Sequence, residues 1–442
     1  MSCHTYKKLN PEQKNKSISA IVATSSFVKR QVITYSEEMK TILTVEDENA
    51  ENKVAVDYYY NDDCLLFSGF GDVHIHARED CSGKKNYKED FLTASNAALN
   101  GGIVHVGEMP NNDIPPIDDE SYLNKFFLTK KADIPFLLYG GIGPDTRPLK
   151  IRVPYKVYMG PSVGDLFFTS LDDLKRRMPL YENQHVSFHC EDPLLLEKNK
   201  KETTHLARRP VDCEVMATEK ALEFIETNNL KGKLCHFSSG DGLELVRAAK
   251  ERQVNVQVEV TPMHLFFSTE NAINYFSSKE EAEKFLQMNP PIRQEKDRQS
   301  MLLAVKNGLI DYLATDHAPH TLEEKEQGIS GMPGLDTYAG FVTYLIEKEG
   351  IAIQRISLMC SENPGSFFNN FLSTFSEHWP NMGKGFGFIE EGYSASFTIL
   401  NLKKPYTVTK EGLKTKCKWS PFEGVTFPGS LESLFLMGKK VV

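Results

Sequence analysis

Short apolar runs alternate with longer amphipathic stretches through most of the chain, and the alternation changes character toward both ends. From Leu65 onward eight runs read as buried strands: Leu65–Val73, Ile103–Gly107, Phe136–Tyr139, Tyr155–Met159, Val186–Phe188, Lys233–Phe237, Val254–Val260 and Tyr312–Thr315. Between several of them, as in Asp212–Asn228, Asp241–Arg252 and Asp297–Asn307, apolar residues recur at helical spacing. Strands alternating with helices predict an α/β fold with a parallel sheet, and eight such units predict a (β/α)8 TIM-like barrel. Ahead of it, a polar, lysine-rich start passes into β-like runs at Ala20–Val22, Gln31–Thr34 and Lys40–Val45. Beyond it, Gly383–Gly392 is glycine-rich, and Ser396–Leu400, Tyr406–Val408 and Leu434–Met437 read as strands that pair with the N-terminal ones. The expected division is therefore 1–67 and 373–442 as the two parts of a small β module, with the barrel at 68–372.

The length of 442 residues agrees with a barrel of roughly 250–300 residues plus a smaller module. A net charge of −9 and the absence of any basic block exclude nonspecific nucleic-acid binding and point to small-molecule partners. Eight cysteines without CxxC pairs or framework spacing fit reduced, buried thiols in a cytoplasm. Serine and threonine interrupt the apolar run between Ser17 and Phe27, so a secretory signal is not expected there. No stretch reaches the ~18–20 uninterrupted apolar residues of a membrane helix. A cytoplasmic protein without membrane partners is expected.

The residues with chemistry cluster at the ends of the predicted strands, where barrels of this kind build their active sites. His74 and His76 close the first strand as a His-x-His pair, and residues i and i+2 of a strand point to one face. Lys156 lies on the fourth strand, His189 ends the fifth, His236 lies on the sixth and Asp316 ends the eighth. A lone strand-end histidine is more often a satisfied core residue than a ligand, but joint placement of all six is hard to explain that way. Four imidazoles, a lysine and a carboxylate form a ligand set for two divalent cations, with nitrogen and oxygen donors suited to zinc. An ammonium cannot ligate metal. A desolvated lysine amine, however, adds CO2 to give a carbamate that bridges two metals.

Six motifs in order then carry a family resemblance: Asp72-Val-His-Ile-His-Ala-Arg78, Met109-Pro-Asn111, His189-Cys-Glu-Asp192, Cys235-His236, Met288-Asn-Pro-Pro-Ile-Arg293 and Ala314-Thr-Asp-His-Ala-Pro-His320. Over residues of about 60–440 the chain resembles the dihydroorotase family of the amidohydrolase superfamily. The resemblance implies that His74, His76, Lys156 and Asp316 hold the more buried metal, and that N6-carboxylated Lys156 with His189 and His236 holds the second. It implies Asp316 as the proton shuttle of reversible cyclic-amide chemistry, closing N-carbamoyl-L-aspartate to dihydroorotate with loss of water in pyrimidine biosynthesis. Arg78 discriminates among relatives sharing the metal apparatus, because its guanidinium suits the free carboxylate that hydantoin and allantoin lack. The family also uses the positions of Asn111 and His320 for that carboxylate. Asn289 and His264 match further substrate-contact positions, although Met263 stands where a histidine often precedes the latter.

Alone, Arg78 reads equally as a surface arginine, Asn111 and Asn289 as turn residues, and His264 as a packing residue. Ser162, in Gly160-Pro-Ser162-Val-Gly164, takes the place of a threonine that closes over substrate in some relatives, and is either a lid residue or part of a flexible turn. Cys190 and Cys235 are expected to point away from the site by strand alternation, and Cys81 has no assignment. The alternative readings are a hydantoinase, dihydropyrimidinase or allantoinase, and a catalytically silent scaffold. The resemblance further suggests a homodimer, association with an aspartate transcarbamoylase, and a stand-alone enzyme without fused pathway domains.

Overall fold

The computed structural model describes residues 15–48, 55–161 and 166–442. Eight parallel strand positions surround its centre: β1 Phe70–Ile75, β2 Ile103–Glu108, β3 in two segments Phe136–Leu138 and Gly140–Ile142, β4 Tyr155–Tyr158, β5 His185–His189, β6 Lys231–Leu234, β7 Val256–Val260 and β8 Tyr312–Leu313. The ladder runs β1–β2–β3 through the first segment of β3 and β3–β4–β5–β6–β7–β8 through the second. Closure comes just past the strand ends, where Ile75 bridges His317 and the His76 amide donates to the His317 carbonyl at 2.7 Å. The chain therefore forms a (β/α)8 barrel. Its helices pack apolar stripes on the outside; in Val211–Thr227 the buried Cys213, Ala217, Ala221 and Phe224 recur at helical spacing.

An eight-stranded sheet forms from both ends of the chain. Phe397–Asn401 lies antiparallel between Cys64–Ser68 and Ser430–Leu436, while Asn15–Ala23 pairs with Cys64–Ser68 and Val28–Ser36. Ile18, Val22, Ile33, Leu66, Phe397 and Phe435 form a core of its own. Two details differ from the sequence expectation. The run Leu65–Val73 is not one strand: it breaks at Gly69, where a Cβ would meet Val104 at 2.4 Å, and its two halves enter different sheets. Tyr406–Thr407 stays out of the terminal sheet and pairs with Thr426–Phe427. The Ser17 to Phe27 run lies mostly in a sheet strand. No helix among the described residues is long and apolar enough to cross a membrane.

Candidate metal centre and active site

The C-terminal ends of β1, β4, β5, β6 and β8 meet over one cavity. On one side, Asp316 Oδ1 lies 3.0 Å from His76 Nε2 and 3.2 Å from His74 Nε2. On the other, His189 Nδ1 and His236 Nε2 face each other at 2.9 Å. Lys156 is fully buried in β4, with Gly141 and Ser187 beside it in register, and its Nζ finds no hydrogen-bond partner among the described residues. A buried cation without a partner is costly, and in this cluster it marks a place where an anion or a metal belongs.

The far nitrogens of three imidazoles are each held by an oxygen. His74 Nδ1 lies 2.8 Å from Glu259 Oε2, His76 Nδ1 2.6 Å from Asn111 Oδ1, and His189 Nε2 2.7 Å from Glu191 Oε2. Each acceptor keeps the proton on that nitrogen and turns the lone pair of the other toward the cavity, as metal-binding histidines require. Burial drives all four rings toward the neutral form, and the Lys156 charge reinforces it at His74, His189 and His236, so that His74 falls to about 4 and His236 well below the usual imidazole range. Burial opposes ionisation of Asp316 too, but the His74 and His76 rings outweigh it and bring the carboxyl down to about 2. Arg78, His236 and Asp316 have left-handed backbones, with φ of 64°, 35° and 46°. Three non-glycine residues in this conformation at one site mark local strain of the kind that gathers at functional centres.

Arg78 lines the same cavity and is 4% exposed. Its Nε donates to the Pro319 carbonyl at 3.2 Å and its Nη2 to His320 Nε2 at 3.1 Å, and no carboxylate among the described residues pairs with it. Asn111 and Asn289 also line the cavity, and the buried Asn289 Oδ1 has no hydrogen-bond partner. Gly331 closes one wall at φ 129°, where a Cβ would come within 2.6 Å of the Ala318 carbonyl. His320 sits behind Arg78. His264 is not brought to the cavity: its Nδ1 lies 2.9 Å from Thr261 Oγ1 and its Nε2 3.2 Å from the Pro290 carbonyl, so it braces the segment that carries Asn289. Ser162 lies outside the described residues.

No family model matches the chain. The dihydroorotase of Pyrococcus horikoshii is 31% identical over 378 residues, spanning 86% of this chain and 81% of the relative. That of Methanosphaera stadtmanae is 30% identical, spanning 83% and 82%. The chain belongs to the dihydroorotase family. Among solved structures, the L-hydantoinase of Arthrobacter aurescens superposes with a TM-score of 0.82 at 21% identity, covering 96% of this chain and 95% of its own. A D-hydantoinase from Thermus gives a TM-score of 0.77 at 20% identity over 96% and 95%. These likenesses show a shared barrel fold.

In this dihydroorotase family member the donor set fits divalent metal. The facing nitrogens and oxygens of His74, His76 and Asp316 lie within 4.8 Å of one another, and the unpartnered Lys156 amine adjoins the second pair of imidazoles. Sequence reasoning missed Glu259, Glu191 and Tyr158. Glu259 also pairs with the buried Lys233, and Glu191 with Arg209. The spacing of His189 and Glu191 was a local signal for the latter, whereas nothing near His74 in sequence points to Glu259. Cys190 is buried, as is Cys235, but Cys235 does not face away from the site: its sulfur lies within 4.8 Å of His74 and Glu259 donor atoms. Alternation from the inward-facing Lys233 turns Cys235 inward, and the left-handed backbone at His236 then brings the next ring to the same side. Cys81 is exposed.

Proposed function

We propose that the chain is a metal-dependent dihydroorotase that interconverts N-carbamoyl-L-aspartate and dihydroorotate. The observation that carries the substrate assignment is Arg78, a buried guanidinium on the cavity wall with no carboxylate partner among the described residues. A charge held this way is stabilised by an anionic ligand, and its fork geometry matches a carboxylate. Uncharged hydantoins and dihydropyrimidines leave it unpaired, which disfavours the alternative substrates. The complete donor set argues against a silent scaffold.

In this reading His74, His76, Lys156 and Asp316 hold one cation, and Lys156, His189 and His236 hold the other. Zinc suits the nitrogen-rich set, and N6-carboxylation would give the stranded Lys156 amine the anionic oxygens that divalent cations take. Bound there, two divalent cations supply Lewis acidity to the amide carbonyl and acidify water at neutral pH. Asp316, ionised at neutral pH, takes the proton from water as its oxygen attacks the ring carbonyl and delivers it to the leaving nitrogen as the C–N bond breaks. Ring closure runs the same transfer backward: the ureido nitrogen attacks the carboxyl carbon and water leaves. Arg78, backed by His320, receives the substrate's spectator carboxylate together with Asn111, and Asn289 addresses the ring edge. The same proposal includes 68–372 as the catalytic unit, cytoplasmic location, homodimerisation and association with an aspartate transcarbamoylase.

The test is R78A on protein whose metal content has been measured. The variant is expected to retain metal while KM for dihydroorotate rises by about 30-fold or more, the range for losing a hydrogen-bonded charge pair. An unchanged KM in a metal-loaded R78A protein overturns the carboxylate assignment.

A further inference from the structure

Arg78 is anchored from one side only, through the Pro319 carbonyl and His320 Nε2. Arginine has no lone pair to offer, so His320 Nε2 is the acceptor and the ring proton resides on Nδ1. That proton needs an acceptor in turn. Glu324 Oε2 lies 3.2 Å from Nδ1. Lys88 Nζ, 3.1 Å from the same nitrogen, cannot accept, and its own partner is Glu324 Oε1 at 2.7 Å. Glu324 is itself fixed, receiving the Tyr87 hydroxyl at 2.6 Å and the Thr321 amide at 3.1 Å. The opposite tautomer lets Nδ1 accept from Lys88 but sets two donors face to face at Arg78 and a lone pair against the Glu324 carboxylate. A doubly protonated ring adds a third positive charge between Arg78 and Lys88. With His320 2% and Lys88 7% exposed, little water is present to relieve either arrangement.

We propose that Glu324 is a positioning residue for substrate recognition: by holding the proton on His320 Nδ1, it fixes the Nε2 lone pair that aims the Arg78 guanidinium at the substrate carboxylate. Lys88 and Tyr87 hold Glu324 in turn. The inference rests on the reading of Arg78 as carboxylate receptor. It adds that specificity is set partly at the rim, in the Leu322–Glu326 helix, by a side chain that never meets substrate.

The experiment compares E324A, K88M/E324Q and R78A in the metal-loaded enzyme, measuring kcat and KM for dihydroorotate. E324A is expected to raise KM by about tenfold, the loss of one hydrogen bond to a charged group, with kcat changed by less than about twofold. E324Q keeps an oxygen for His320 Nδ1–H and for the Thr321 amide but turns its NH2 toward the Lys88 ammonium, so it is combined with K88M, and K88M/E324Q is expected to recover KM to within about threefold of the parent. General disruption of the helix, by contrast, lowers kcat and the melting temperature together. If R78A raises KM and E324A does not, the positioning role is wrong while the carboxylate reading stands. If R78A leaves KM unchanged, the carboxylate reading fails first. A KM for K88M/E324Q as high as that for E324A overturns the tautomer argument.

Discussion

Glu259 holds two parts of the molecule at once, and removing its charge separates them. Its carboxylate is fully buried, accepts from His74 Nδ1 at 2.8 Å and pairs with Lys233, whose other partners are the neutral Tyr139 hydroxyl at 2.9 Å and the Val73 carbonyl at 3.3 Å. In E259Q the amide oxygen can still serve His74, but the amide NH2 is then driven against the Lys233 ammonium, donor against donor. Breaking a buried pair in this way costs about 3–5 kcal/mol, because Lys233 is left charged without a counter-ion. With an unfolding entropy of about 2.1 cal/mol/K per residue over 442 residues, 1 kcal/mol corresponds to about 1 °C. Chelator-treated E259Q should therefore melt about 3–5 °C below the parent; metal-free protein is required because bound metal raises the melting temperature by itself. Replacing the charged partner of His74 by a neutral amide lowers the basicity of the ring and should weaken metal binding by about 10–100-fold, read by competition with a chromophoric chelator. The double variant K233M/E259Q removes the stranded ammonium, so it should regain most of the melting temperature while metal affinity stays low. An E259Q protein with unchanged melting temperature and unchanged metal affinity refutes the assignment, and a double variant that regains metal affinity shows that the loss ran through Lys233 rather than His74.

D316N, measured with metal restored to the parental content, should lose about 10²–10⁴ in kcat, since the amide cannot take up the transferred proton; turnover within tenfold of the parent removes Asp316 from that role. C81S should abolish one fast-reacting thiol toward a disulfide reagent at pH 8, because Cys81 is exposed whereas burial pushes Cys64 to about 11 and Cys213, Cys235 and Cys360 to about 12. His105, fully buried against Phe386 and Phe368, is held by burial at about 3, below the 6.5 of an exposed ring. The unfolded chain therefore binds more protons between those values, and stability falls as pH drops from 6.5 toward 3, by at most about 4–5 kcal/mol from this residue. H105L should flatten that acid limb in denaturant titrations, and an identical limb in the variant assigns it elsewhere.

Much of the barrel was readable because its strands are short apolar runs separated by helical periodicity, which local pattern records directly. The ligand candidates were readable for a related reason: a histidine, lysine or aspartate toward the end of such a run has few structural uses, and six of them on neighbouring strands reinforce one another. What pattern does not record is the break at Gly69. The residues on both sides are equally apolar, and only the close approach of Val104 requires the chain to leave one sheet and enter another. Nor does it record Tyr406–Thr407 pairing with Thr426–Phe427, a local choice that competes on equal terms with the terminal sheet. Cys235 shows a third limit. Alternation fixes relative orientation within a strand, but the left-handed backbone at His236 places two consecutive side chains on one side, and such a reversal has no signature in composition.

The hidden part of the site has a common physical origin. Glu259 lies 185 positions from His74, and His320 lies 242 from Arg78, so the bonds that orient ligands and guanidinium join residues brought together only when the barrel closes. The closing contact, His76 amide to His317 carbonyl, lies between the metal-ligand cluster and the arginine anchor, and the same turn of chain after β8 supplies Asp316, Pro319 and His320. Closing the barrel thus assembles both halves of the active site. The halves remain separable in what they recognise, because the imidazoles take their orientation from Glu259, Glu191 and Asn111 inside the barrel mouth, whereas Arg78 takes its orientation from residues on the rim. Substitutions on the rim should accordingly alter which acyl ring or ureido acid is bound without unloading the metal, and substitutions at the inner carboxylates should unload the metal without altering which substrate is preferred.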